Sequence, residues 1–220
     1  MRFDSMRTWK AGQMLTVLAV AYIATACGEM KSPTRAGDAP AQMEEHGDSS
    51  VLAAGADAAS LAAVRQATAA FHDVDKAVAA GYVSPVGGPC DETPAGAMGV
   101  HSPNPALMQN PALIPEQPEV LLYLPSGDGN YRLVAVEYVQ ILLLRNTQTG
   151  QVGPWFSHDA WPAEYVIVNP TPSLFGQSFQ GPMAGHVPAM PWHYDLHVWT
   201  WNPNPAGMFA QWNPSISCGP

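Results

Sequence analysis

Between Pro191 and Pro203 the chain reads Trp-His-Tyr-Asp-Leu-His-Val-Trp-Thr-Trp-Asn, and this alternation constrains the fold more than any other stretch. Tyr, Val, Trp and Thr favour strands and the two prolines bracket the run, so an extended conformation is predicted. Successive side chains of a strand point to opposite faces. His193, Asp195, His197, Trp199 and Trp201 are therefore expected on one face, and Tyr194, Leu196, Val198 and Thr200 on the other. Neighbours two apart on a strand are separated by roughly 6.5 to 7 Å along the backbone, so two imidazoles can converge on one ion through neutral ring nitrogens. A helix would also bring His193 and His197 to one face, but Tyr194 stands where the helical zinc motif carries Glu. The competing reading is a half-buried strand with a wet polar face, where Asp195 only hydrogen-bonds a histidine.

A strand of this kind needs a sheet, and the rest of the chain agrees. Only 12% of residues are charged, while 22 Pro and 19 Gly call for many turns and few helices. The expected class is mainly β with one N-terminal helix (α+β), arranged as a compact β-sandwich or barrel. The helix is predicted over Ser60 to Ala80, where Leu61, Val64, Thr68, Phe71, Val74 and Val78 recur every three or four residues. Ser60 would cap it and Gly81 would stop it, and His72 and Asp73 fall off the stripe, as surface residues would. Strands are predicted over Val120 to Leu124 and Leu133 to Leu144, joined by the turn Gly-Asp-Gly-Asn at 127–130, with another around Glu164 to Val168.

Two further candidate ligands lie on this frame. Glu137 sits mid-strand on the face of Ala135 and Val139, where an unpaired buried carboxylate is costly; a metal, a donor or a cation such as Arg132 or Arg145 would relieve it. His101 closes the run Gly96-Ala-Met-Gly-Val, whose glycines permit close backbone approach, as in a tight turn or a ligand site. His158, beside Asp159, reads as an exposed loop residue or a supporting partner.

The first 26 residues read as an export signal, with basic Arg2, Arg7 and Lys10 ahead of an apolar stretch too short to span a bilayer comfortably. Ala24-Thr25-Ala26-Cys27 resembles the lipobox of bacterial lipoproteins, with Ala24 where Leu is usual. The resemblance implies lipidation of Cys27 and a membrane anchor, periplasmic or at the cell surface; an ordinary cleaved signal is the alternative. Residues 27–56, rich in small and polar types, read as a flexible tether, in which His46 is a solvated side chain. Residues 57–220 would then form a single β-rich domain. Beyond the signal the chain carries 17 acidic and 6 basic residues, which excludes the basic stripe that a nucleic-acid partner needs. Export also leaves Cys90 and Cys218 as the remaining cysteines, expected to be oxidised together. Their bridge would bring the C-terminal tail beside the segment that leads to His101.

Met98-Gly-Val-His101, Asn104-Pro, Pro118-Glu-Val-Leu-Leu-Tyr123, Val136-Glu-Tyr138 and His193-Tyr-Asp-Leu-His197-Val-Trp together resemble a family of exported bacterial proteins without an established activity. The likeness runs from about residue 65 to 218 and implies recurring motifs rather than a reaction. A looser similarity is to cupins, β-barrels that gather about three histidines and a glutamate on one metal. Here the ingredients match, but the single His101 precedes the histidine pair.

These observations converge on a mononuclear metal site in an exported lipoprotein. His101, His193, His197, His186 and Glu137 are the candidate ligands, and Asp195 is the supporting carboxylate that orients an imidazole. Imidazole and carboxylate donors suit one divalent transition metal: zinc, iron or copper. The methionines at 98, 108, 183, 190 and 208 would suit copper, but core filling is the ordinary use of methionine and the preferred reading. A second expectation is a non-catalytic, disulfide-stapled binding module, with Trp192, Trp199, Trp201 and Trp212 as an aromatic platform for a small molecule. Neither a Gly-x-Ser-x-Gly nucleophile elbow nor a phosphate-binding P-loop occurs.

Overall fold

A computed structural model describes residues 49–186 and 189–219, with side chains from residue 57 onward. The export signal, Cys27 and His46 lie outside the described residues. Helix α1 (Ser49–Thr68) passes through a 3-10 turn (Ala69–His72) into α2 (Val74–Ala79). Strands β1 (Cys90–Thr93) and β2 (Gly96–Pro103) precede the short α3 (Pro105–Met108). Next come β3 (Val120–Pro125), β4 (Tyr131–Ile141), β5 (Leu143–Asn146), β6 (Val152–Pro154) and β7 (Tyr165–Ile167). The series ends with β8 (Ser173–Leu174), β9 (Gln177–Ser178), β10 (Gln180–Met183) and β11 (His193–Val198).

Six strands form one curled antiparallel sheet in the order β1-β2-β3-β4-β11-β10, a half-barrel, so the β-rich α+β class expected from the sequence is the one observed. Register shifts in the β1–β2, β3–β4 and β10–β11 pairs accompany the curl, as bulges add local bend and twist. Strands β5, β6 and β7 make a small second sheet. The long expected strand from 133 to 144 is interrupted at Leu142, whose N–H donates to Trp192 O rather than to a ladder partner.

The sheet's two faces are both apolar in part. One carries Leu121, Tyr123, Val136, Tyr138, Tyr194, Leu196 and Val198 and packs with Val64, Ala77 and Tyr82 from the helical segment. Three tyrosines bury their rings and still place their hydroxyls. Tyr123 donates to Phe71 O at 2.6 Å, Tyr138 to Pro115 O at 2.6 Å and Tyr82 to Pro118 O at 2.8 Å. The other face carries Val120, Leu122, Ala135 and Val139, and on it stand the polar residues of the candidate site.

The helical segment departs from expectation in three respects. It begins at Ser49, ahead of Ser60, and takes in the last residues assigned to the tether. That stretch is rich in Ala, a strong helix former without an apolar stripe to reveal it. The helix also breaks at Asp73, whose carboxylate accepts from the N–H groups of Asp75 and Lys76 and so starts α2. After the break Ala77 faces inward and Val78 is exposed, because the register set by Leu61 and Val64 does not carry through. Gly81, at φ +97°, ends the helix as expected.

Asn104 connects this end of the helix to the sheet. Its side chain caps α3 and its amide donates to Ala80 O at 3.1 Å. Cys90 and Cys218 are bonded, with Cα atoms 5.8 Å apart and a sequence separation of 128. The bridge pins the C-terminal tail to edge strand β1. By the chain-entropy model a loop of this length is worth about 4 to 5 kcal/mol. Cys90→Ala/Cys218→Ala is expected to lower the unfolding free energy in urea by about 4 kcal/mol; an unchanged midpoint would show that the unfolded chain gains nothing from release of the loop.

Candidate metal centre

Strand β11 alternates as expected: His193, Asp195 and His197 share one face, and Tyr194, Leu196 and Val198 join the opposite core. Its register with β4 sets His197 opposite Glu137, Asp195 opposite Val139 and His193 opposite Ile141. On the far side of Glu137, β3 contributes Val120 and Leu122, and Leu122 stands opposite His101 of β2. Glu137 therefore projects from the middle of the sheet with histidine-bearing strands on both sides. Asp91 of β1 faces Gly99 and extends the polar row to the sheet edge.

These side chains are within reach of one another. His101 Nδ1 donates to Asp91 Oδ2 at 3.0 Å, and its Nε2 lies 3.5 Å from Glu137 Oε2. Rings of His101 and His197 are centred 6.2 Å apart, and His186 is centred 5.6 Å from His101 and 5.8 Å from His193. Asp195 Oδ2 is 4.0 Å from His197 Nδ1, beyond hydrogen-bond range. Three groups bring their ligand atoms within 4.8 Å of one another: Asp91/His101/His186, His101/Glu137/His197 and Glu137/His193/Asp195.

Glu137, His193, Asp195 and His197 are at most 1% exposed. Even so, His101 Nε2, Glu137 Oε2, His193 Nε2, both Asp195 oxygens and both His197 nitrogens lack a hydrogen-bond partner among the described residues. Buried polar atoms are normally paired, and each orphan costs roughly 1 to 3 kcal/mol. Seven such orphans on one face of the sheet, in groups whose ligand atoms lie within 4.8 Å of one another, call for a bound cation. His193 and His101 are also oriented as metal-binding imidazoles usually are: each spends Nδ1–H on an oxygen, Pro191 O at 3.1 Å or Asp91, and leaves Nε2 bare.

The electrostatics point the same way. Burial pushes the Glu137 carboxyl up to about 7 against the pull of His101, and burial with the nearby Glu137 charge pushes Asp195 up to about 8. Burial drives His193 down to about 4; burial, then the charge of His101, lowers His197. His101 is raised: burial opposes its charge, but Glu137 and Asp91 outweigh it. A pocket that disfavours carboxylate charge and keeps two imidazoles neutral is one in which a dication offsets the burial cost and meets unprotonated nitrogens.

No family model, curated protein or solved structure matches the chain. The chemistry of the site therefore rests on its own donor set.

Of the residues expected from the sequence, the structure brings His101, Glu137 and His197 into one group and sets His193 with Glu137 in another. His186 is exposed at the rim, beside Asp91 and His101. Asp195 stands among the ligand atoms themselves. Neither arginine serves Glu137: Arg132 donates to Asn202, and Arg145 lies on β5, outside the six-stranded sheet. His158 does not pair with Asp159; its Nε2 donates to Gly185 O at 3.0 Å and steadies the residue before His186. Asp91 was not expected. The only sequence signal for it is its place next to Cys90, the residue that the bridge draws toward His101.

The tryptophans do not assemble into one platform. Trp199 packs on the site face, while Trp201 lies beyond the end of β11 and turns to the helix side, donating to Thr68 Oγ1 at 3.1 Å. Trp192 meets Trp161 edge-on. A cavity of about 440 Å³ does open onto the site, lined by Asp91, His101, Glu137 and His186 together with Pro89, Pro103, Met108, Val120 and Met190.

Proposed function

We propose that the protein is an exported lipoprotein, anchored through Cys27, whose half-barrel binds a divalent transition metal on His101, Glu137 and His197. The observation that carries this reading is the presence of seven buried, unpartnered donor atoms on residues that also group within ligand distance on one face of the sheet. The disulfide supports an oxidising compartment. It also removes both described cysteines from the donor set, leaving nitrogen and oxygen donors that suit zinc, iron(II) or copper(II). Asp91, bonded to His101 Nδ1, holds that ring in the tautomer that presents Nε2.

The cavity supports a small-molecule ligand that reaches His101 and Glu137 past largely apolar walls. A metal there would act as a Lewis acid on such a ligand or activate water. Mass-spectrometric metal analysis of the protein, purified without a histidine tag, tests the binding claim. At least one equivalent of a single metal is expected, with a loss of 10-fold or more in occupancy in His101→Ala/His197→Ala while circular dichroism is retained. Absence of metal as isolated, with no uptake of zinc, iron(II) or copper(II), would end this reading.

A further inference from the structure

We propose that the centre holds two metal ions bridged by Glu137; this rests on the metal-binding reading above and extends it. Nitrogen and oxygen donors bind a first-row dication at about 2.0 to 2.2 Å, so donors of one ion lie no more than about 4.4 Å apart. The groups His101/Glu137/His197 and Glu137/His193/Asp195 come close to that compass, with ligand atoms within 4.8 Å of one another, so a small side-chain adjustment closes each on an ion. His101 and His193 never fall in the same group. One ion therefore cannot satisfy the set: placed among His101, Glu137 and His197, it leaves His193 Nε2 and both Asp195 oxygens buried and unpaired, and those atoms stand among the orphans.

Glu137 belongs to both groups and projects from β4 between them. A carboxylate has two oxygens, and a glutamate shared in this way is the usual bridge of two-metal sites, whose ions lie about 3.5 to 4 Å apart. The backbone supports the division. His101 arrives from β2 on one side of Glu137, while His193 and Asp195 arrive from the N-terminal part of β11 on the other, with His197 directly opposite Glu137. His101 and His193 each offer Nε2, having committed Nδ1 elsewhere, and His197 keeps both ring nitrogens free among the described residues.

Charge balance agrees. Two dications meet three carboxylates, Glu137, Asp195 and the nearby Asp91, which leaves one positive charge for a bridging hydroxide or an anionic ligand atom. The third group, Asp91/His101/His186, is not a further site, because His101 Nδ1 is already bonded to Asp91 and His186 is exposed. The ions expected are first-row dications that accept mixed imidazole and carboxylate donors, such as zinc, manganese(II), iron(II) or cobalt(II).

The test strips the protein with chelator, titrates it with Zn(II) by calorimetry and loads it with Mn(II) for electron paramagnetic resonance. Two equivalents of Zn(II) are expected, with loss of the isolated-ion Mn(II) signal to a spin-coupled one as the second equivalent enters. Asp195→Asn should reduce the stoichiometry from two to one and keep the isolated-ion signal, and Glu137→Gln should abolish the coupling. A wild-type stoichiometry of one overturns the pair and leaves a mononuclear centre. A stoichiometry of zero overturns the metal reading itself. Wild-type stoichiometry decides the question even if a variant fails to fold.

Discussion

Chelation should lower the melting temperature by about 8 to 16 °C, and restoring the dication should recover it. A ligand that binds only the folded state stabilises it by about 4.1 kcal/mol at a free concentration 1,000 times Kd, and for a domain of this size each kcal/mol shifts the midpoint by about 2 to 4 °C. The effect is large because the metal-free state carries the cost. Glu137 Oε2, His193 Nε2, both Asp195 oxygens and both His197 nitrogens are buried and without a hydrogen-bond partner among the described residues, so no described group replaces the water they held in the unfolded chain.

The metal-free protein should also respond to pH in an identifiable way. Glu137 and Asp195 are raised from 4.5 and 3.8 to about 7 and about 8. The stability linked to their neutral forms is complete below the ordinary values and is lost as pH rises through 7 to 8. His101, also raised, acts in the same direction. His193, lowered from 6.5 to about 4, and His197 oppose them: their contribution is present above 6.5 and is lost as pH falls. Chelated protein should therefore melt higher at pH 6.5 than at pH 8.5 and level off below, whereas the metal-loaded form should gain with pH because protons compete for the ligands. A melting temperature indifferent to chelation at both values would mean that no ion holds this cluster together.

Part of this site is legible in the sequence for a simple reason. A strand has a period of two, so the spacing of His193, Asp195 and His197 already states that they share a face. Glu137 is conspicuous likewise, as one acid in an apolar strand. What neither segment contains is their pairing register, and the register is what sets Glu137 opposite His197 and divides the donors into two groups. Local patterns decide faces; partners are decided by long-range pairing. Asp91 escaped for the same reason, since it reaches His101 across the β1–β2 pair from a short polar run with no periodicity. Trp201 departs from the face that alternation assigns it, because alternation holds only while the strand lasts and β11 ends at Val198. The early start of the helix at Ser49 has no apolar stripe to mark it, since an alanine-rich stretch forms helix by propensity alone.

The Met98-Gly-Val-His101 motif shows how a backbone requirement two residues away can govern a ligand. Gly99 lies inside β2 at φ +101°, and a Cβ there would come within 2.6 Å of Tyr123 O on β3. Strand β2 thus approaches its neighbour more closely than any side chain permits, and His101 is delivered opposite Leu122 from that approach. Positive φ alone costs a non-glycine residue roughly 1 to 3 kcal/mol. The contact with Tyr123 adds to this, since the obstructing atom is backbone in a paired strand. Gly99→Ala should therefore destabilise the protein by about 3 kcal/mol or more, lowering the melting temperature by about 6 to 12 °C, and should weaken metal binding 10-fold or more by moving His101. Gly129 supplies the control: at φ +83° in the β3–β4 turn it has nothing within 4 Å of an added Cβ, so Gly129→Ala bears the conformational cost without the clash and leaves the site untouched. If the two variants melt together and bind metal alike, the close approach of β2 to β3 is not what positions His101.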